Sequence, residues 1–304
     1  MLSRIATFGN LSAMVASSLK VQAKLADQES QEASNLKSPT LSGLGEPTAA
    51  FLRLSQQSAR LSADKDAATS AGDVVQAAYS ATSTLADLAA TVRSKIAATQ
   101  SNESSGAAAE ITSDDASSWL NTLQSALNTN LGGLYVFGGQ ASGSPPVDFS
   151  NPSYDPSASP NTADTAYYQG STTARTLTTS EGSTLQISTT ADSAPFEQFA
   201  RILSLMKANP GDPAALSSAY DQLGDIADQL GATEQRLSGQ AEALDNVATS
   251  NDAKITTLNN LASTIDGADL STTAVLVTQY QTQLEALYST ISKLSSESIL
   301  KYLS

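Results

Sequence analysis

The tightest acidic pair in the chain is Asp114-Asp115, and two adjacent carboxylates could bind a divalent cation or divide general acid and base duties. The surrounding residues read as a helix start, where neighbouring side chains diverge by about 100° and do not converge on one ion or one scissile bond. In a first helical turn the pair answers the positive end of the helix dipole instead. Gly132-Gly133 and Gly138-Gly139 could cradle a phosphate, yet neither pair has the strand-loop-helix setting or the spacing of a phosphate-binding loop. They read as turns that let the chain reverse sharply after a helix, with Tyr135 and Phe137 packing on a neighbouring layer.

Chemistry is thin elsewhere. The 304 residues include no cysteine and no histidine, which removes thiolate nucleophiles, disulfides, the commonest metal ligands and the usual neutral-pH base. Aromatic residues make up only 5% of the chain, so thin helical layers fit better than a thick enzyme-like core. No catalytic, cofactor-binding or metal-ligating residue is expected, and the chain reads as a non-enzyme.

The residues that stand out are apolar and periodic. Near the N-terminus Ile5, Phe8, Ser12, Val15, Leu19, Gln22, Ala26, Glu29, Ala33 and Leu36 step by threes and fours, and near the C-terminus Tyr280, Leu284, Leu287, Ile291 and Leu294 do the same. A narrow apolar stripe on a long helix needs a partner helix, from the same chain or from another subunit. The expected assembly interface therefore comprises Ile5, Phe8, Val15, Leu19, Leu36, Tyr280, Leu284, Leu287, Ile291 and Leu294.

Charge divides the chain in the same way. The net charge is −14, but residues 1 to 37 carry Arg4, Lys20, Lys24 and Lys37 against Asp27, Glu29 and Glu32, and residues 269 to 304 carry Lys293 and Lys301 against Asp269, Glu285 and Glu297. Near-neutral ends tolerate packing against copies of themselves, whereas the acidic middle argues against nucleic acid or anionic lipid as a partner. No run approaches the roughly 18 apolar residues of a membrane span, and the amphipathic N-terminus lacks the apolar core of a cleaved signal.

The stepping pattern predicts a first helix over residues 3 to 36, a break at Lys37-Ser38-Pro39, and a second helix from Pro47 to about Ala98. A turn is expected at Asn102 to Gly106, then a third helix ending near Asn130 that carries Trp119, Leu120, Leu123 and Leu127. A short β-prone run follows at 134 to 137 between the two glycine pairs, then short strands at 167 to 168, 174 to 179 and 184 to 189, the last two joined as a hairpin. The Ser/Pro/Asn/Asp-rich stretch from Ser142 to Asp164 reads as a loop that a Gly-Ser linker could replace. Helix resumes at Pro195, stops at Asn209-Pro210-Gly211, runs again from Pro213 to a joint at Gly267, and ends with a helix over about Leu270 to Leu303. The domains expected are an N-terminal coiled-coil helix (1–40), rod helices (41–133), an inserted exposed β domain (134–194), rod helices (195–266) and a C-terminal coiled-coil helix (267–304).

Five stretches carry a family resemblance: the opening Met1-Leu2-Ser3-Arg4-Ile5-Ala6-Thr7, the run Gly133-Leu134-Tyr135-Val136-Phe137-Gly138-Gly139, and Gly231-Ala232-Thr233-Glu234-Gln235-Arg236-Leu237 with Ile265-Asp266-Gly267-Ala268-Asp269-Leu270 and Ser298-Ile299-Leu300-Lys301-Tyr302-Leu303. In order and spacing the chain resembles the flagellin superfamily, and within it the hook-associated branch. It departs from the family at Ser42-Gly43-Leu44-Gly45-Glu46-Pro47, and it lacks the Ile-Asn-Thr-Asn run frequent in filament flagellins. The resemblance implies a mainly α, elongated flagellin-like helical rod with paired terminal coiled-coil helices and a small inserted β domain. It implies an adaptor joining hook to filament and supporting motility, with the filament subunit as the alternative. The implied partners are copies of itself in a ring or tube, another hook-associated protein, flagellin, the flagellar export apparatus and, as a further candidate, an export chaperone. The implied location is extracellular, on the flagellum, reached without a cleaved signal, a membrane insertion or a nucleic acid partner.

Overall fold

A computed structural model describes residues 2–103, 110–158 and 160–303, and the side chains of 9–101, 110–158 and 160–296. The fold is mainly helical: α1 (Leu2–Ser34), α2 (Thr48–Glu103), α3 (Ser113–Leu127), α4 (Ala194–Ala208), α5 (Pro213–Asp266) and α6 (Leu270–Leu303), with a 3₁₀ turn at Leu41–Leu44. Between α3 and α4 lie two small antiparallel sheets, β1 (Asn130–Leu131) with β2 (Leu134–Tyr135), and β3 (Thr176–Thr178) with β4 (Thr184–Gln186). The turn expected at Asn102 to Gly106 falls largely outside the described residues. The chain divides into two compact units, one formed by Met1–Ala59 with Lys254–Ser304 and the other by Arg60–Ala253.

The middle unit holds the core. Along α5 the buried positions Leu216, Ala219, Leu223, Ile226, Leu230, Thr233 and Leu237 alternate threes and fours, the signature of a helix meeting a helix along a seam. The facing seam of α2 alternates small and branched residues, with Ala68, Val75, Ala78, Leu85, Ala89, Val92 and Ile96 all buried. Lys65 paired with Asp252, and the Arg93 guanidinium 4.3 Å above the Tyr220 ring, fix the two helices antiparallel. Alanine in the seam lets the backbones approach, so dispersion rather than bulk fills the interface.

α3 begins at a capping box, in which Thr112 Oγ1 accepts from the Asp115 amide at 3.1 Å and Asp115 Oδ2 accepts from the Thr112 amide at 3.0 Å. The Asp114-Asp115 pair is thereby accounted for as helix-start chemistry. After α3 the chain reverses through Gly132 (φ 60°) and Gly133 (φ 91°), the two-residue hairpin turn that needs positive φ at both positions. Phe137 then inserts edge-on against Phe196 of α4, ring centroids 5.4 Å apart, and neither side chain is exposed.

The stretch from Ser142 to Asp164 has no helix or strand, yet it belongs to the core. Val147 is buried, its amide and carbonyl are both held by the Asn128 side chain (3.0 and 2.8 Å), and the Phe149 amide donates to Gln124 Oε1 at 3.2 Å. Phe149 and Tyr154 pack on buried Tyr167, with centroids 5.0 and 5.1 Å away. Side-chain amides thus satisfy a backbone that lacks ladder partners. The segment is the expected loop, anchored by packing residues that its Ser/Pro-rich background hid. On the far side, Ser180 at the β3–β4 turn donates through its amide and hydroxyl to Asp64 of α2.

Candidate assembly interface

In the terminal unit α1 and α6 pack against each other along their length. They run antiparallel: Gln22 Nε2 donates to Tyr288 Oη at 2.9 Å, Lys24 Nζ lies 5.9 Å from the Tyr280 ring centroid, and Leu36 bridges to Gly267. On α6 the inward positions are Thr273, Val277, Tyr280, Leu284, Leu287, Ile291 and Leu294, with Thr273 and Leu284 buried and the others half-buried. The five C-terminal stripe residues therefore all face α1 within the same chain. On α1 the inward positions are Leu11, Met14, Ser18, Val21, Leu25 and Gln28.

The N-terminal stripe is placed differently. Val15 is 42% exposed and Leu19 60% exposed, because the seam runs one residue earlier around the helix. Leu36 sits half-buried just beyond α1, and the side chains of Ile5 and Phe8 lie outside the described residues. α1 thus carries two apolar lines about 100° apart, one closed by α6 and one open.

A clasp of backbone bonds closes the pair at its inner end. Asn35 takes a left-handed conformation (φ 59°) after α1, and its carbonyl accepts from the Ala268 amide at 2.9 Å. The Lys37 amide donates to the Asp266 carbonyl at 2.6 Å, and Lys37 Nζ donates to the carbonyls of Thr264 and Ile265 at 3.2 and 2.8 Å. A cation on the last free carbonyls of α5 complements the negative end of that helix. Gly267 is required in the clasp, since a Cβ there would lie 2.3 Å from the Ser263 carbonyl oxygen. α6 then starts under Asp269, whose carboxylate accepts from the Thr272 hydroxyl and amide and is held below its ordinary pKa mainly by that hydroxyl.

Burial in the terminal unit is inverted relative to the middle one. Among the described residues Leu284 is its one buried hydrophobic side chain, while every exposed large hydrophobic side chain of the chain belongs to it except Leu131. Polar residues occupy seam positions, with Ser18 and Thr273 buried. Among the described residues no helix is long and apolar enough to cross a membrane, and no cluster of acidic side chains could hold a metal ion.

Paired terminal helices, a pair of long helices and small inserted sheets define the class, a flagellin-like helical fold. No family model and no curated protein matches the sequence. Among solved structures, the fold matches one from Vibrio parahaemolyticus assigned as a flagellar hook-associated protein, with a TM-score of 0.56 and 11% identity over 74% of this chain and 99% of that one. The crystal structure of Bacillus cereus FlgL aligns over 69% of this chain and 97% of its own, at 13% identity and a TM-score of 0.47.

Proposed function

We propose that this chain is a structural subunit of a bacterial flagellum, a hook-associated adaptor that joins hook to filament by helical packing and supports motility without catalytic turnover. The observation that carries the reading is the terminal unit, which among the described residues fully buries one large apolar side chain, leaves its seam half-buried and holds every exposed large hydrophobic side chain but Leu131. A helix pair built in this way has apolar surface left to bury against neighbours. The shared fold with a flagellar hook-associated protein supports the same reading.

In this proposal residues 1–40 and 267–304 are the inner coiled-coil segments, 41–133 and 195–266 the rod helices, and 134–194 the outward-facing β domain. Seven of the ten stripe residues serve assembly in two ways. Tyr280, Leu284, Leu287, Ile291 and Leu294 hold α6 on α1 as a unit, whereas Val15 and Leu19 offer contact to other subunits. The partners are further copies of the chain, another hook-associated protein and flagellin, reached outside the cell through the flagellar export route. Near-neutral termini permit close packing, while the acidic middle keeps neighbouring outer parts apart.

Electron microscopy of the purified protein, alone and with isolated hook ends, tests the reading. Binding to hook ends followed by growth of flagellin from them is the expected result. Long filaments formed by this protein alone would make it the filament subunit, and no association with either would defeat the flagellar reading.

A further inference from the structure

A second feature of the molecule lies in the middle unit, away from every residue assigned to assembly. Where the segment after β2 packs on α3 and α4, it leaves a cleft of about 300 Å³, lined by α3, by the chain from Phe149 to Ser157 and by α4. That volume has room for about ten waters, or for one six-membered sugar ring with its hydroxyl groups. On α3, Ser117, Asn121 and Gln124 recur at four and three residues and so share one face. Ser204 and Lys207 stand one turn apart on α4, the helix packed against α3.

The lining selects the chemistry of a ligand. Its apolar part comes from Leu120, Phe149 and Tyr154. The Phe149 and Tyr154 rings have centroids 5.7 Å apart and both pack on buried Tyr167, so their faces are fixed before anything binds. The polar part is hydroxyl and amide, and its only two charged side chains, Asp155 and Lys207, cancel. Gln124 Oε1 accepts from the Phe149 amide at 3.2 Å, which orients the group and leaves Nε2 to donate. Among the described residues the side chains of Asn121 and Lys207 have no hydrogen-bond partner within the chain. An anion would meet one lysine beside a carboxylate rather than an arginine fork, and an apolar ligand would strand the amides without water. A neutral polyol suits both parts, since its C–H face lies on aromatic rings while its hydroxyls donate to and accept from serine and amide groups.

We infer that this cleft binds one neutral hexose unit, its ring face on Phe149 and Tyr154 and its hydroxyls on Asn121, Gln124 and Lys207. A free monosaccharide and the terminal sugar of a glycan share that chemistry. The rings and Gln124 are held by the protein itself, so binding orders little, but each hydrogen bond replaces one to water. The dissociation constant is therefore on the order of 1 mM.

Saturation-transfer NMR on the full chain tests the inference, with glucose, galactose, mannose and N-acetylglucosamine as monosaccharides and maltose as a glycan end. Glycerol and glucose 6-phosphate serve as controls. Saturable binding of at least one neutral sugar is expected, about tenfold or more tighter than glycerol. Asn121 is exposed on α3, so its substitution leaves the core intact. Asn121→Ala should weaken binding about fivefold, the loss of one hydrogen bond. Asn121→Trp, which fills the cleft, should abolish binding with the melting curve unchanged, and Asn121→Ala carries the test alone if that variant melts early. A monosaccharide bound as tightly as maltose makes the ligand a free sugar, and maltose bound about tenfold tighter makes it a glycan; both uphold the site. Binding no tighter than glycerol's, a preference for glucose 6-phosphate, or binding that survives Asn121→Trp would overturn it. None of these outcomes bears on the assembly reading, which rests on the terminal helices.

Discussion

At the scale of single residues, Asp115 gives α3 a pH-dependent cap. The Thr112 amide and then its hydroxyl, both donating to Asp115, hold that carboxyl below its ordinary value. A lowered carboxyl contributes stability that is complete above the unfolded value near pH 4 and fades as pH falls through the folded value. Thr112→Ala should cost about 1 kcal/mol, the usual loss of an N-cap. Hydrogen exchange in the first turn of α3 should rise in that variant at neutral pH and in the parent only below about pH 4. Glycine substitutions make a sharper comparison. Gly139 has φ 59° and a Cβ there would lie 2.1 Å from the Ser171 oxygen and 2.7 Å from the Thr173 oxygen, whereas Gly182, at φ 86°, has nothing within 4 Å. Gly182→Ala should cost about 1 kcal/mol from its left-handed backbone alone, and Gly139→Ala about 3 kcal/mol or more because backbone must also move. Urea unfolding of the middle unit measures both, and equal losses would show that the chain around Gly139 yields freely.

Elements differ in how plainly the sequence announces them, and the reason is periodicity. The long helices α2, α5 and α6 repeat their seam positions over many turns, so their existence and their ends at Pro47, Gly267 and the Asn209-Pro210-Gly211 break can be read directly. The face that meets a partner is harder to read. α1 has Leu11, Met14, Val21 and Leu25 on one line and Val15 and Leu19 on the next, and spacing alone does not say which line α6 will cover. The aromatic anchors of the segment between α3 and α4 have no period at all. Their signal lay in residue type, since Phe149, Tyr154, Tyr167 and Tyr168 are aromatic residues in a chain where aromatics are scarce. Burial, the first cause in each case, raises the phenols of Tyr154, Tyr167 and Tyr168 above the ordinary range. A raised phenol contributes stability that is complete below the unfolded value near pH 10 and is lost as pH rises through the folded value. The middle unit should therefore unfold in alkali, with tyrosinate absorbance from these three rings appearing together with the loss of near-ultraviolet circular dichroism. Smooth titration of all the tyrosines while the fold persists would show that the cluster is open to solvent. Phe196→Ala, which removes a fully buried ring from the same unit, should cost about 3–5 kcal/mol in urea unfolding.

At the scale of the molecule, the two units should differ in stability, because their interiors differ in kind. The middle unit closes its own core, from Ala68 on α2 through Phe137, Tyr167 and Phe196 to Leu244 on α5. The terminal unit places Ser18, Gln28 and Thr273 on its seam and buries Leu284 alone among large apolar side chains described. Two helices joined by so little full burial gain little over the conformational entropy of ordering them, since most of a helix's stability in a protein comes from packing its apolar face. Backbone amides of α1 and α6 in the free monomer should accordingly exchange orders of magnitude faster than those of α5 between Leu216 and Leu244, and should slow on assembly as neighbours cover the open lines. Removing residues 270–304 takes away one half of the seam, yet none of the middle core. That truncation should abolish assembly while the melting of the middle unit shifts by no more than a few degrees, the scale of about 1 kcal/mol in a domain of this size. Hydrogen exchange followed by mass spectrometry resolves the two units in one experiment. Equal protection of α1, α6 and α5 in the monomer, or assembly retained after the truncation, would mean that the terminal helices are a finished domain rather than one half of an intermolecular contact.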